Sequence, residues 1–326
     1  HFLFNDPTKE VVRAAIENAG QTYQIEYIPA LIQLLRRKEL WSPIQEALVN
    51  FGANIIPMLH FHLSNPYVNK NIRIGIPRIL FLMGNQKSVD VLIQNLPTRD
   101  PAIRYEIVTA LYKLRSNNPY LKFRATIIVN NIFDEAHDYV NTLTFLYSQG
   151  KRNAKLANIE TSELDAKGLQ RARELLVRVL EQRLDNNLKR IFRLLGLIYA
   201  PEDIENAYLG IKSKKPDVRI NAIEFLDNLL EVNLKKVIIP IAESALVDAI
   251  MEDSAERLGF KTKSEYECLA MLLTSEDSHL QILALDLISY LKDNQYLPHI
   301  SRLINSFDSK VREAAKSALR SIGIMT

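Results

Sequence analysis

The sequence is short of what most active sites and many folds require. Ten glycines in 326 residues are too few for the tight turns of a sandwich or barrel. Leu, Ile, Ala, Glu, Lys and Arg dominate instead, which favours helix. The single cysteine, Cys268, excludes an intramolecular disulfide and leaves a thiolate metal cluster without ligands, so a reducing cytoplasm is the expected compartment. With Leu269, Met271 and Leu272 around it, Cys268 reads as a buried structural thiol. Neither sign of charge prevails: 41 basic and 38 acidic side chains give a net +3, without the broad field that steers nucleic acid. No apolar run approaches the roughly 18 to 20 residues that cross a bilayer, and runs such as Val237 to Ile241 fit single turns of amphipathic helices. No secretory signal opens the chain, and a first residue His1 rather than methionine leads us to expect a preceding segment.

Catalytic patterns are equally scarce. There is no G-x-G-x-x-G or G-x-x-x-x-G-K-[ST] loop to cradle a phosphate and no G-x-S-x-G elbow. His60 and His62 stand two apart on a predicted helix, about 200° from each other, so they cannot share a metal; one half-buried and one exposed histidine is the expectation. His137-Asp138 lacks the further His and Asp ligands of a metal-dependent phosphohydrolase, and His279 and His299 stand alone in turns or first turns. No cofactor, metal or catalytic residue is expected.

What is present is a repeat, set in a chain that is 47% hydrophobic and long enough for an extended array. A small or aliphatic residue, a large aliphatic one, two variable positions, an apolar position and often glycine recur as Ala15-Ile16…Ala19-Gly20, Ala47-Leu48…Phe51-Gly52, Ile79-Leu80…Met83-Gly84, Ala110-Leu111…Leu114 and Ala318-Leu319…Ile322-Gly323. The first four start 32, 32 and 31 residues apart. Glycine there predicts a helix stop, because it alone enters the left-handed conformation cheaply. Ile28-Pro29, Ile56-Pro57, Ile239-Pro240 and Leu297-Pro298 predict helix starts, since proline at the first helical position loses no hydrogen bond. Each unit is then a helix A opened by proline, a turn, and a helix B closed by glycine. The turn itself recurs as Asp100-Pro101-Ala102-Ile103-Arg104, Pro216-Asp217-Val218-Arg219 and Asp308-Ser309-Lys310-Val311-Arg312, with Asp placed to cap helix B. Val311, Ala314, Ala315, Ala318, Leu319 and Ile322 make helix B amphipathic.

The D-P-x-V-R turn and the A-L-x-x-φ-G ending resemble short bacterial HEAT repeats. The tetratricopeptide and ankyrin patterns fit less well: Trp41 is the only tryptophan and no Thr-Pro-Leu-His turn occurs. The expected fold is therefore all-α, an α-α superhelix of HEAT-like repeats with an inserted long helical hairpin. Residues 1–116 form the N-terminal repeats, 117–185 the hairpin, and 186–326 the C-terminal repeats. The hairpin is predicted as helices over Leu121 to about Tyr147 and Leu164 to Leu184, joined by a basic turn Gln149 to Asn153. Met251 to Ser264, charged and containing Gly259, reads as an exposed loop.

The stretch Arg190-Ile191-Phe192-Arg193-Leu194-Leu195-Gly196-Leu197-Ile198-Tyr199, followed by Asp203-Ile204, Ala207-Tyr208 and Gly210-Ile211, leads into Asp217 to Leu230. This is similar to the HEAT region of bacterial proteins that join a nucleotide-translocase-like membrane domain to HEAT repeats and often to a cyclic-nucleotide-binding domain. The resemblance implies a cytoplasmic segment near the inner face of the membrane that relays a state between neighbouring domains. It carries over no catalytic residue.

Arg104, Arg219 and Arg312 read as structural, pairing with Asp residues of neighbouring repeats. Glu224, Asp227 and Asn228 follow the apolar face of a helix B and are the candidates for a ligand or inter-domain contact, against a plain role in capping and inter-repeat hydrogen bonding. Basic residues gather at Arg36-Arg37-Lys38, Lys151-Arg152 with Lys155, Lys212 with Lys214-Lys215, and Lys261 with Lys263, where they suit helix ends. The leading expectation is a non-catalytic scaffold that binds a protein partner or neighbouring domains of the same polypeptide, with any membrane association made through those domains. The alternative is a HEAT-like nucleic-acid binder using a concave basic surface, and a third is a lyase-like repeat enzyme acting on a bilin.

Overall fold

The structure is a computed structural model that describes residues 2–153, 163–244 and 263–324. All secondary structure among these residues is helical; no strand occurs. The chain divides into two compact units, one of residues 1–132 with 192–205 and one of residues 133–191 with 206–326.

In the first unit α1 (Lys9–Thr22), α2 (Ile28–Leu34), α3 (Trp41–Asn50), α4 (Ile56–Ser64), α5 (Lys70–Met83), α6 (Gln86–Asn95) and α7 (Pro101–Asn117) follow one another. Pro29 and Pro57 sit in the first turns of α2 and α4, as the missing proline N–H predicts. The longer helices form a row, α1 against α3, α3 against α5 and α5 against α7, while α2, α4 and α6 pack on α3, α5 and α7 respectively. Ile16, Leu48, Leu80 and Leu111, one from each member of the row, are fully buried.

The glycines divide into two uses. Gly84 takes φ 62° at the end of α5 and Gly52 φ 70° just after α3, the left-handed stops expected of them. Gly20 is different: α1 runs through it to Thr22, and Tyr23 takes the left-handed conformation at φ 54°. Its role is close approach, because a Cβ on Gly20 would stand 2.7 Å from the Cα of Ala47 on α3.

The second unit draws on two long helices, α8 (Ala125–Asn153) and α9 (Glu163–Ile198), each of which begins or ends in the first unit. Then come α10 (Pro201–Ile211), α11 (Pro216–Leu229), α12 (Val232–Ser244), α13 (Glu265–Thr274), α14 (Ser278–Leu291), α15 (Leu297–Leu303) and α16 (Ser309–Ser321). Two long helices were expected, but their bounds differ. The residues read as a turn, Gln149 to Asn153, are the end of α8, and α9 continues past Leu184 to Ile198, so the boundary expected at 185/186 falls inside one helix. The cause is visible along α9: Leu176, Leu180, Leu188, Ile191 and Leu195 keep a buried stripe going with no proline until Pro201. Residues 154–162, with Lys155, and 251–262 of the expected loop, with Gly259 and Lys261, lie outside the described residues. At the C-terminal end α14 packs on α13 and α16, and α15 on α16, around Leu285, Ile288, Ile300 and Val311.

Gly20→Ala tests the row packing. In an open helix the change gains up to about 1 kcal/mol. Against the Ala47 backbone it is expected to lose about 1–2 kcal/mol instead, read as a lower urea midpoint at unchanged m-value.

Candidate interaction face

Four of the turns between paired helices share one geometry. Asp100, Asp277 and Asp308 each cap the helix that follows: Asp100 Oδ1 accepts from the N–H groups of Ala102 at 2.9 Å and Ile103 at 3.3 Å, and Asp308 Oδ1 from Lys310 at 2.9 Å and Val311 at 3.4 Å. Four residues beyond the cap, a long polar side chain reaches back to carbonyls at the end of the preceding helix or in the turn after it. Arg104 Nε donates to Thr98 O at 2.9 Å, Gln281 Nε2 to Leu273 O at 3.2 Å and Ser275 O at 2.6 Å, and Arg312 Nη1 to Ser306 O at 2.6 Å. Asn69 and Arg73 do the same at α5, with Arg73 Nε on Leu63 O at 3.0 Å. Arg104 and Arg312 thus each bond a backbone carbonyl of the turn before their helix. For Arg312 these carbonyls, of Ser306 and Phe307, take the place of the aspartate expected from a neighbouring repeat. The reason is that the carbonyls of the turn have no partner in either helix, and an arginine on the next helix can satisfy them. Gln281 and Arg73 were missed because Asp277-Ser278-His279-Leu280-Gln281 and Asn69 to Arg73 each depart from D-P-x-V-R at one or more positions.

Arg219 occupies the same position on α11, and there the arrangement changes. Lys215 stands where the other turns place Asp or Asn and makes no side-chain cap, and the buried Nε of Arg219 has no hydrogen-bond partner among the described residues. The remaining candidates lie on this helix. Glu224, Asp227 and Asn228 are all exposed, following Ile220 at steps of four, seven and eight along the outward side. Asn228 Nδ2 donates to Glu224 O at 2.9 Å, and Asp227 pairs with Lys235 of α12 at 3.2 Å. Their apolar flanks were not foreseen: Ile220 is 50% exposed and Val218 and Phe225 40% each. The outward side of α11 therefore carries Ile220 between Asp227 and Glu224, Asn228 beside Glu224, and Phe225 and Val218 along one edge.

Charges inside the second unit were also missed. Arg190 of α9 bonds Glu135 of α8 at 2.8–2.9 Å and Asn187 Oδ1 at 2.8 Å, with Arg190 and Glu135 both buried. Arg173 of α9 meets Glu265 of α13 at 2.9 Å, again buried. Arg183 of α9 meets Asp277, the cap of α14. Burial pushes the Asp277 carboxyl up, but the Arg183 charge and the N–H groups of Leu280 and His279 outweigh it and hold it below the ordinary aspartate value. The available signal was the interruption of the α9 apolar stripe by Arg173, Arg183 and Arg190, spaced to share its buried side.

Other candidates resolve simply. Cys268 is buried, and burial pushes its thiol up, away from the thiolate. His60 and His62 are both half-buried rather than split, because His62 folds back to donate from Nδ1 to Met58 O at 2.8 Å. His137 Nδ1 lies 3.1 Å from Asn141 Nδ2, and His299 Nε2 3.4 Å from the Tyr266 hydroxyl. Of the basic clusters, Lys212 is paired with Asp185 at 2.7 Å. Among the described residues no group of three or more His, Cys, Asp or Glu is placed to hold a metal ion, and no helix is long and apolar enough to cross a membrane.

Neither a protein-family model nor a curated protein sequence matches the chain. Three engineered proteins with crystal structures align with 98%, 98% and 91% of it, over 87%, 96% and 96% of their own lengths. Their identities are 17%, 14% and 19%, and their TM-scores 0.24, 0.19 and 0.18, too low to speak for a shared topology.

Two stability predictions follow from these contacts. Arg312→Ala is expected to cost about 1–2 kcal/mol, because it strands the carbonyls of Ser306 and Phe307, whereas Arg219→Ala changes stability by less than about 0.5 kcal/mol; urea unfolding of the two variants side by side reads the difference. Arg190→Met leaves Glu135 charged in the core and is expected to cost about 3–5 kcal/mol, most of which Arg190→Met with Glu135→Leu restores. An unrestored double variant would mean that the pair does more than satisfy itself.

Proposed function

We propose that the chain is an α-α superhelix of HEAT-like repeats serving as a non-catalytic scaffold, with the outward side of α11 as a contact face for a protein partner or a neighbouring domain. The row of α1, α3, α5 and α7 and the turn clamps repeated at α5, α7, α14 and α16 support the repeat reading. The observation that carries the function is the exposure of Val218, Ile220 and Phe225 together with Glu224, Asp227 and Asn228 on one helix. The exposed apolar side chains supply area removed from water on binding, and the carboxylates and amide supply register and selectivity. The partner face that fits is apolar with a basic group opposite Glu224. In line with the resemblance to translocase-fused HEAT regions, the domains coupled belong to one membrane-associated polypeptide, and contact with the bilayer is left to them.

The test uses the double variant Ile220→Glu with Phe225→Glu, which alters exposed positions only. It is expected to keep the helical circular dichroism and the melting temperature, while losing at least about tenfold in affinity for the partner or neighbouring domain, or about 1.4 kcal/mol. In the wild-type complex, hydrogen exchange should slow along α11. A partner held equally well by the variant, with no protection of α11, would remove this face as the contact.

A further inference from the structure

Arg78 and Thr109 each stand directly before a repeated buried pair, Ile79-Leu80 on α5 and Ala110-Leu111 on α7, so they hold one register on two helices that pack together. The end of α9 closes on α7 as well. Arg193 Nη1 donates to Thr109 Oγ1 at 2.5 Å, and a Cβ on Gly196 would stand 2.8 Å from the Tyr112 ring. Around Thr109, helical spacing puts Tyr105 and Tyr112 on one edge of the α7 face and Glu106 and Lys113 on the other. This face is exposed with α5 and α9 both in place beside it.

Three cations gather there, and two of them are seated on aromatic rings. Arg193 Cζ lies 5.3 Å from the centroid of Tyr105, and Lys113 Nζ 5.7 Å from that of Phe81 on α5. Arg78 is exposed one turn before Phe81. None of the three is ion-paired among the described residues, whereas Arg13, Arg37, Lys70, Lys212 and Lys235 each have a carboxylate at 2.7–3.2 Å. All three act on Glu106, which is half-buried and makes no hydrogen bond or ion pair among the described residues. Burial pushes the Glu106 carboxyl up, and Lys113, Arg193 and Arg78 offset this only in part. Glu205, at the α9 edge, already accepts from the Tyr112 hydroxyl at 3.3 Å.

We propose that this face of α5, α7 and the end of α9 binds an extended acidic segment of a partner protein, whose carboxylates meet Arg78, Lys113 and Arg193 while a backbone N–H between them meets Glu106. Charge complementarity selects the occupant, since three cations against one carboxylate leave the face positive. Three adjacent helices at about 8–10 Å per step span roughly 16–20 Å, the reach of about five or six extended residues, so one small anion meets too few of the cations. Glu106 decides between a peptide and a nucleic acid. It calls for a hydrogen-bond donor, which a peptide backbone supplies beside its acidic side chains and a phosphodiester backbone does not. The connections next to the face offer no free acid. Residues 118–124 carry Lys122 and Arg124 and no carboxylate, and Asp100 ahead of α7 caps that helix and pairs with Lys70 at 2.8 Å. The site uses none of the α11 residues and stands or falls without them.

A capped, fluorescein-labelled dodecapeptide of alternating Asp and Ala serves as the probe in fluorescence anisotropy against the full chain. Saturable binding is expected at about 0.05 M salt, falling at least about fivefold at about 0.3 M. Arg78→Glu with Lys113→Glu, both at exposed positions, is expected to weaken it at least about tenfold. Glu106→Gln keeps an acceptor for the N–H and removes the repulsion of the probe, so it is expected to tighten binding about two- to fivefold. It carries the test should the reversed variant not fold. Lys310→Glu with Lys316→Glu on α16 makes the same change of net charge and is expected to leave affinity within about twofold. Absence of saturable binding, as when a segment of the chain itself fills the face, overturns the proposal. So do equal binding by the Arg78 and Lys113 variant, equal loss in the α16 variant, or an oligo-dT of the same length bound as tightly as the peptide.

Discussion

Short helices in tandem face one constraint above all: every helix leaves backbone N–H groups at its start and carbonyls at its end without intrahelical partners. In a chain made of many such helices this need recurs at each turn, and at several turns side chains answer it. Asp100, Asp277 and Asp308 take the N–H groups of one helix, while Arg104 and Arg312 take carbonyls of the turn before it and Gln281 takes carbonyls at the end of the helix before. Helix start and turn are tied by side chains four residues apart, which holds the two helices at one relative position. Core packing then has a defined frame to fill. The α11 turn, with Lys215 and an Arg219 Nε that has no hydrogen-bond partner among the described residues, shows the same position without that closure, and it precedes a helix that turns polar and apolar side chains outward together.

The second unit meets a further demand, because α9 is long and has to be seated against helices far from it in sequence. Arg173, Arg183 and Arg190 make that seating specific by meeting Glu265, Asp277 and Glu135. A buried ion pair adds little net stability over an apolar pair of the same shape, but a register in which either charge loses its partner is heavily penalised. Along a helix whose aliphatic stripe would tolerate sliding by a turn, three such pairs leave one register. Asp277 ties the two devices together, since its carboxylate caps α14 and meets Arg183 at once.

Much of this was legible in the residues. Proline starts at Pro29 and Pro57, glycine stops at Gly52 and Gly84, and buried Ile16, Leu48, Leu80 and Leu111 are local consequences of backbone angles and helical spacing, so they can be read without neighbours. Gly20 was misread as a stop because a close-approach glycine and a stop glycine look alike in sequence, and only the presence of Ala47 opposite distinguishes them. The extent of α9 was underestimated because a change in repeat register at Leu184 resembled a helix end, while the buried stripe that carries the helix on to Ile198 is continuous. Among the candidate residues, Glu224, Asp227 and Asn228 were correctly placed on one helix, but the apolar side chains exposed with them depend on which neighbours leave Ile220 and Phe225 uncovered.

By itself the sequence determined the helical class, the paired-helix period, the capping aspartates and the buried thiol of Cys268, since each follows from propensity, spacing or composition within a few turns of chain. Tertiary structure alone decided that the turn arginines bond carbonyls, that α9 carries three charges to partners on α8, α13 and α14, and that Arg78, Lys113 and Arg193 gather about Glu106. The physical reason is common to all three. Whether a side chain is satisfied, paired or exposed depends on groups brought to it across dozens of residues of chain, and nothing in its local pattern specifies them.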